Sequence, residues 1–265
     1  MFTDRKYLQG EQYAGAGNLN SRIALHKRFS ANPYGWFRWV FDHLEPPGCS
    51  NLLELGCGPA DLWGENSDRV PEGWEIYLTD FSTGMLQQAR RRLLSTRTNF
   101  RFTVIDAQAI PFPEAAFDAV IANHMLYHLP DKQSAFADIH RILKLEGCFF
   151  AATNGVDHMH EIKEIVHLVD PAATYSGMDL NFRLENGAEL LRLYFSSVTV
   201  DRYEGALNVT EVEPLMAYIL SMTALRGISM DGGRLESLYR LLQQEIARQG
   251  AIHITESTGL FICRP

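Results

Sequence analysis

Between residues 52 and 154 short apolar runs alternate with helix-length segments, and this alternation predicts an α/β fold built on a parallel sheet. Two further observations support it. The apolar runs are strand-sized, at 52–55, Glu75 to Thr79, Phe100 to Ile105, Phe117 to Ala122 and Cys148 to Thr153, and the intervening helices fall at about 84–95 and 131–144. Right-handed crossovers between such elements bring all the strand ends to one edge of the sheet.

That edge carries the informative residues. The first run breaks into Gly56-Cys57-Gly58, where the absence of a Cβ lets backbone approach a ligand closely. The second ends at Asp80, the third at Asp106-Ala107 and the fourth at Asn123-His124. A glycine turn, two acids and a polar pair at successive strand ends are the layout of a nucleotide-like ligand lying across a parallel sheet. Asp80 could accept hydrogen bonds from both hydroxyls of a ribose, a bidentate task for which a carboxylate is suited. A dinucleotide fingerprint would place glycine at position 61, where this chain has Asp61.

The runs Glu54-Leu55-Gly56-Cys57-Gly58, Leu78-Thr79-Asp80-Phe81-Ser82-x-x-Met85-Leu86 and Asp106-Ala107-x-x-Ile110-Pro111-Phe112 resemble the class I S-adenosylmethionine-dependent methyltransferases. The likeness continues through Phe117-Asp118-Ala119-Val120, Leu129-Pro130-Asp131 and Ile142-Leu143-Lys144-x-x-Gly147, so it covers roughly residues 50–155. It implies a Rossmann-like, seven-stranded, mostly parallel sheet whose last strand is antiparallel, with Ile252 to Ile262 as that strand. It also implies S-adenosylmethionine as cofactor. Gly56 and Gly58 would face its methionine portion, and Glu54 its amino group or waters, unless Glu54 only organises the turn. Phe81 and Met85 would flank the adenine or pack in the core, Asp106 would accept from the exocyclic amine, and Ala107 and Asn123 complete the set. Ala60 replaces the third glycine of the family's pattern.

Past Asn154 the alternation loosens. Helices are expected at about 158–169, 186–195, 211–226 and 232–249, with strands near 197–203 and 251–263. Residues 21–45 read as helix with a break near Asn32-Pro33, and Pro46-Pro47-Gly48 ends the element. The organisation expected is a lid or helical cap at 1–48, the Rossmann-like core at 49–155, and substrate-side helices with the final strands at 156–265. The aromatics Phe29, Tyr34, Trp36, Phe37, Trp39 and Phe41 are too many for one buried stripe, so the helix packs on two sides or turns one side to a pocket.

Composition sets the bounds. The 265 residues are 46% hydrophobic and 21% charged, enough for a substantial core. A net charge of -8 argues against a nucleic-acid partner, and Arg90-Arg91-Arg92 reads as a solvated helix face. Cys49, Cys57, Cys148 and Cys263 have neither disulfide nor zinc spacing. With no signal pattern and no membrane-length apolar run, a cytoplasmic location is expected. The oligomeric state is not readable.

Methyl transfer from a sulfonium is an in-line displacement on an activated carbon, and it demands alignment and exclusion of water rather than a fixed catalytic residue. Three clusters could serve the acceptor. His124 and His128 stand four apart, which could share a helical face, but no carboxylate has supporting spacing, so His124 is read as a base or a cofactor contact and no metal is expected. Asn154 ends the fifth strand, with His158 and His160 following. Its amide could hold an amine or carboxylate, unless Asn154-Gly155 is simply a turn. Tyr175 and the N-terminal aromatics could face the sulfonium.

The leading expectation is a small-molecule methyltransferase, with Asn154, Tyr175 and His124 as catalytic candidates. One alternative keeps the fold and makes S-adenosylmethionine the sole substrate, its α-amine closing azetidine-2-carboxylate and expelling methylthioadenosine. Another is a non-catalytic cofactor-binding protein.

Overall fold

The computed structural model describes residues 17–46, 50–173, 181–224, 228 and 230–265. Among them, seven strands form one sheet in the order β3-β2-β1-β4-β5-β7-β6. They are β1 (Asn51–Leu55), β2 (Glu75–Asp80), β3 (Phe100–Val104), β4 (Phe117–Asn123), β5 (Leu143–Asn154), β6 (Ser197–Val209) and β7 (Ile252–Arg264). The first five are parallel, and β7 runs antiparallel to both β5 and β6. The expected antiparallel last strand is therefore present, inserted between β5 and β6.

The helices are α1 (Gly17–Phe29), α2 (Trp36–Asp42), α3 (Asp61–Glu65), α4 (Thr83–Leu93), α5 (Lys132–Ile142), α6 (His160–Val169), α7 (Leu184–Leu191), α8 (Val212–Ala224) and α9 (Gly232–Gln249). Both faces of the sheet are covered, which is why β1 and β4 are apolar without alternation. On one face α5 and α7 pack through Phe136, Ile139, Ile142 and Leu191 against Val120, Phe149 and Phe261. On the other, α2, α3 and α4 pack through Phe41, Trp63, Leu86 and Ala89 against Leu52, Ile76, Ile121 and Phe150. A third cluster joins α1, α6, α8 and α9 to Leu207, Val209, Ile252 and Ile254 on β6 and β7.

Several boundaries differ from the sequence expectation. The break expected near Asn32-Pro33 is present and divides two helices, whereas the first begins at Gly17 rather than 21; the linker pairs with β6, Ala31 N–H donating to Ala206 O at 2.7 Å and Asn32 Nδ2 to Glu204 O at 2.8 Å. The fifth strand starts at Leu143, before Gly147, and its register with β4 shifts between Phe117 and Ala119. A Cβ on Gly147 would lie 2.8 Å from Lys144 O, so glycine fits the irregularity rather than a strand start. The sixth strand continues to Val209 because thirteen β6–β7 pairs form one long antiparallel ribbon. The short α3 has no periodic signature to announce it in the sequence.

No helix among the described residues is long and apolar enough to cross a membrane.

Candidate active site

The glycine turn after β1 is built by backbone conformation. Gly56, Gly58 and Ala60 have φ of 66°, 54° and 61°, all left-handed. The two glycines are needed for different reasons. A Cβ on Gly56 would sit 2.9 Å from Met125 Cβ and Cγ, whereas one on Gly58 would meet nothing within 4 Å. Gly56 is thus a packing glycine, and Gly58 borders open space. Ala60, buried where the family has glycine, carries left-handed strain of about 1–2 kcal/mol.

Asp80 clamps this turn. Its Oδ2 accepts from Gly58 N at 3.0 Å and its Oδ1 from Ser82 N at 2.7 Å. Ser82 Oγ in turn caps α4 by accepting from Met85 N at 3.3 Å. Burial raises the Asp80 pKa, opposed by the backbone N–H groups of Ser82, Gly58 and Phe81. A carboxylate has about four lone-pair sites, so these three backbone groups leave room for a further donor.

Glu54 is 2% exposed and accepts from Trp63 Nε1 at 2.6 Å. Burial pushes its pKa up to about 8, against the pull of the indole N–H. Phe81 is half-buried, Met85 is buried on the inner side of α4, and Ala107 belongs to the α5-side core. Asp106 Oδ1 accepts from Gln108 N at 3.1 Å.

Farther along the same edge, register places Asn123, Asn154, Thr258, Glu256 and Tyr203 on one face of the sheet. Asn154 is opposite Thr258, Thr258 opposite Tyr203, and Glu256 opposite Gly205. The face is the one that carries Ile121, Phe150 and Leu260 deeper in. Trp36 of α2 closes over it: its Nε1 donates to Asn123 Oδ1 at 3.1 Å, and its ring lies 5.0 Å from His124 and 5.4 Å from Tyr203.

His124 does not share a helical face with His128. Its backbone is left-handed, with φ of 56°, and Leu126–His128 is a single 3-10 turn. Burial holds its pKa down to about 4, which makes it a weak base. Its Nε2 lies 3.4 Å from Thr258 Oγ1. Asn154 Oδ1 is buried without a partner among the described residues. Gly155 is needed by crowding rather than by a left-handed turn, since a Cβ there would meet Ser257 Oγ at 2.3 Å and Glu185 Oε1 at 2.9 Å. Tyr175 lies outside the described residues.

Two residues of this cluster, His26 and Glu256, escaped sequence reasoning. His26 of α1 places Nδ1 2.6 Å from Glu256 Oε1, across 230 residues of sequence, and its ring stacks on His158 at 6.3 Å with planes 3° apart. Burial holds the His158 pKa well below the usual histidine value. No local spacing links these side chains; only the α1–β7 packing does.

Residues 52–147 match the family model of the methyltransferase domain. The malonyl-[acyl-carrier protein] O-methyltransferase of Legionella pneumophila is 31% identical over 112 residues, which is 42% of this chain and 39% of that protein. The ubiquinone/menaquinone biosynthesis C-methyltransferase of Pectobacterium atrosepticum is 33% identical over 114 residues, 42% of this chain and 45% of that protein. These alignments span less than half of each curated relative. The solved phosphoethanolamine N-methyltransferase 2 of Haemonchus contortus, in complex with S-adenosyl-L-methionine, superposes with a TM-score of 0.60 at 18% identity, covering 100% of this chain and 60% of that one. None of these relatives is a cyclase, so the ring-closing alternative has no support among them. The sheet order, the glycine turn clamped by Asp80 and these matches together identify residues 52–147 as a domain of the class I S-adenosylmethionine-dependent methyltransferase type.

Proposed function

We propose that this protein transfers the methyl group of S-adenosylmethionine to a small-molecule acceptor. The observation that carries the reading is the space at Gly58 beside a carboxylate with acceptor capacity to spare. The residues present fit the cofactor. The Gly56–Gly58 backbone would take its methionine portion, Asp80 its ribose hydroxyls, Phe81 and Met85 its adenine face, and Asp106 and Ala107 the adenine edge. Glu54 would hold the turn in shape, and Asn123 would link cofactor and acceptor sides through Trp36. The cofactor supplies an activated methyl carbon on a sulfonium; the protein's task is to align the nucleophile and exclude water. Asn154, His124 and, on sequence grounds, Tyr175 are the acceptor-side candidates. A small acceptor is favoured by the way α1, α2 and α8 cover this end of the sheet, and the curated relatives include methyltransferases of biosynthetic intermediates.

Calorimetric titration with S-adenosylmethionine tests the reading. Asp80→Ala should weaken binding by about 2–3 kcal/mol, the loss of charge-assisted hydrogen bonds. Unchanged affinity would remove Asp80 from the cofactor site.

A further inference from the structure

The acceptor end of the sheet holds four buried polar atoms with no partner among the described residues; Tyr203 Oη can donate or accept, and the other three can accept a hydrogen bond: Asn154 Oδ1, His158 Nδ1 and Glu256 Oε2. Unpaired buried groups of this kind cost about 1–3 kcal/mol each, so a fold that keeps four together has a use for them. Two of them, an amide oxygen and a carboxylate oxygen, accept only. The guest they call for is rich in donors.

Charge points the same way. The Glu256 side chain is 8% exposed and its other oxygen engages His26 Nδ1. A carboxylate accepting at Nδ1 fixes the imidazole tautomer, leaving the proton on Nδ1 and a lone pair on Nε2. The His26 side chain is 34% exposed, so that lone pair is not sealed in the core. The Glu256 carboxylate lines the pocket with an acidic group, which disfavours an anionic acceptor and suits a cation.

On the reading that the protein is a methyltransferase, we propose that its acceptor is an amine, bound as the ammonium against Glu256, Asn154 and His158 and deprotonated by His26. An ammonium has no lone pair and cannot attack carbon. Its proton passes to His26 Nε2, which becomes imidazolium beside Glu256. The freed nitrogen pair then forms the N–C bond to the methyl carbon, the C–S bond breaks with its electrons going to sulfur, and S-adenosylhomocysteine and a methylammonium remain. Glu256 is the positioning residue of this pair. The other titratable groups around it include His124, Tyr203 on β6, which feels the Glu256 charge, Tyr218 on α8, whose ring lies 6.1 Å from His26, and Lys163 of α6, whose charge acts on His158.

The test uses label transfer from methyl-labelled S-adenosylmethionine to three probe sets: alkylamines, anilines, and the hydroxyl and carboxylate compounds of matching shape. Label on nitrogen with the amines is expected. His26→Gln should slow transfer to alkylamines by about 10²-fold or more, and to anilines, which enter already neutral, by under about tenfold. Glu256→Gln should show the same contrast between probes with a smaller loss. Equal slowing of both amine sets would deny His26 its role as base, and transfer only to oxygen, or to no amine, would overturn the acceptor class. Affinity for S-adenosylmethionine, measured on each variant, keeps the two readings apart. Intact binding with no amine transfer sinks this proposal alone, whereas absent binding in the wild type sinks the methyltransferase reading beneath it. Should His26→Gln misfold, the comparison of probes on Glu256→Gln decides the same question.

Discussion

Two stretches of one sheet meet the same problem, a carboxylate to be satisfied beside the ends of the parallel strands, and solve it differently. At the β1–β2 end, Asp80 accepts from backbone N–H groups within its own turn and that of Gly58, and Glu54 is satisfied by Trp63, nine residues away. At the β5–β7 end, Glu256 is met by a histidine 230 residues distant, and neighbouring polar atoms are left without partners. The first is a cradle assembled from local backbone geometry, finished before any ligand arrives. The second is assembled from side chains on separate elements, and several of its polar atoms have no partner among the described residues. The difference explains why the β1–β2 end has a sequence motif and the β5–β7 end has none.

The largest expected effect contrasts the two glycines of the cradle. Gly56→Ala should cost about 2–5 kcal/mol of stability, combining left-handed strain with overpacking against Met125. Denaturant unfolding checks it, and a cost under about 1 kcal/mol would mean that the turn relaxes freely. Gly58→Ala meets no atom, so its stability cost should be limited to strain of about 1–2 kcal/mol. If ligand fills the space beside Gly58, its affinity for S-adenosylmethionine should fall further than its stability does. Equal affinity in the two proteins would place the ligand elsewhere.

Next in size is Glu54. Its folded pKa, raised to about 8, exceeds the ordinary carboxylate value of 4.5. Between those values the folded state binds more protons than the unfolded chain, so stability falls as pH rises through the window. Glu54→Gln keeps an acceptor for Trp63 and has no proton to lose. It should match the wild type near about pH 4 and gain stability progressively toward about pH 8, by up to about 4 kcal/mol. A constant difference across pH would show that Glu54 is not the titrating group.

The smallest effect on stability belongs to the acceptor end. Asn154→Ala removes an unpartnered oxygen, so unfolding should shift by less than about 1 kcal/mol and cofactor affinity by a few-fold at most. Turnover should fall, and full turnover in this variant would take Asn154 out of the mechanism.

Legibility followed the same division. Gly56, Gly58, Asp80 and Asp106 were readable because each sits at the carboxyl end of a strand whose apolar run announces it. The break at Asn32-Pro33 was readable because proline interrupts a helix whatever surrounds it. His124 and His128 misled because a spacing of four suggests a shared face only if the backbone is helical, and here Asn123 leads into a left-handed residue. The start of β5 and the reach of β6 were misplaced because cross-strand pairing, not propensity, sets where a ribbon ends.

By itself, then, the sequence determined the order of elements, the parallel core and the cofactor-side turn. Periodicity, glycine and strand-end acids are properties of short segments, whose physics is local. Tertiary structure alone decided that β7 enters between β5 and β6, that α1 lies over their ends, and that His26 thereby reaches Glu256. No local rule links residues 26 and 256, because their meeting depends on long-range packing of α1, α8 and the β6–β7 ribbon around one shared apolar cluster.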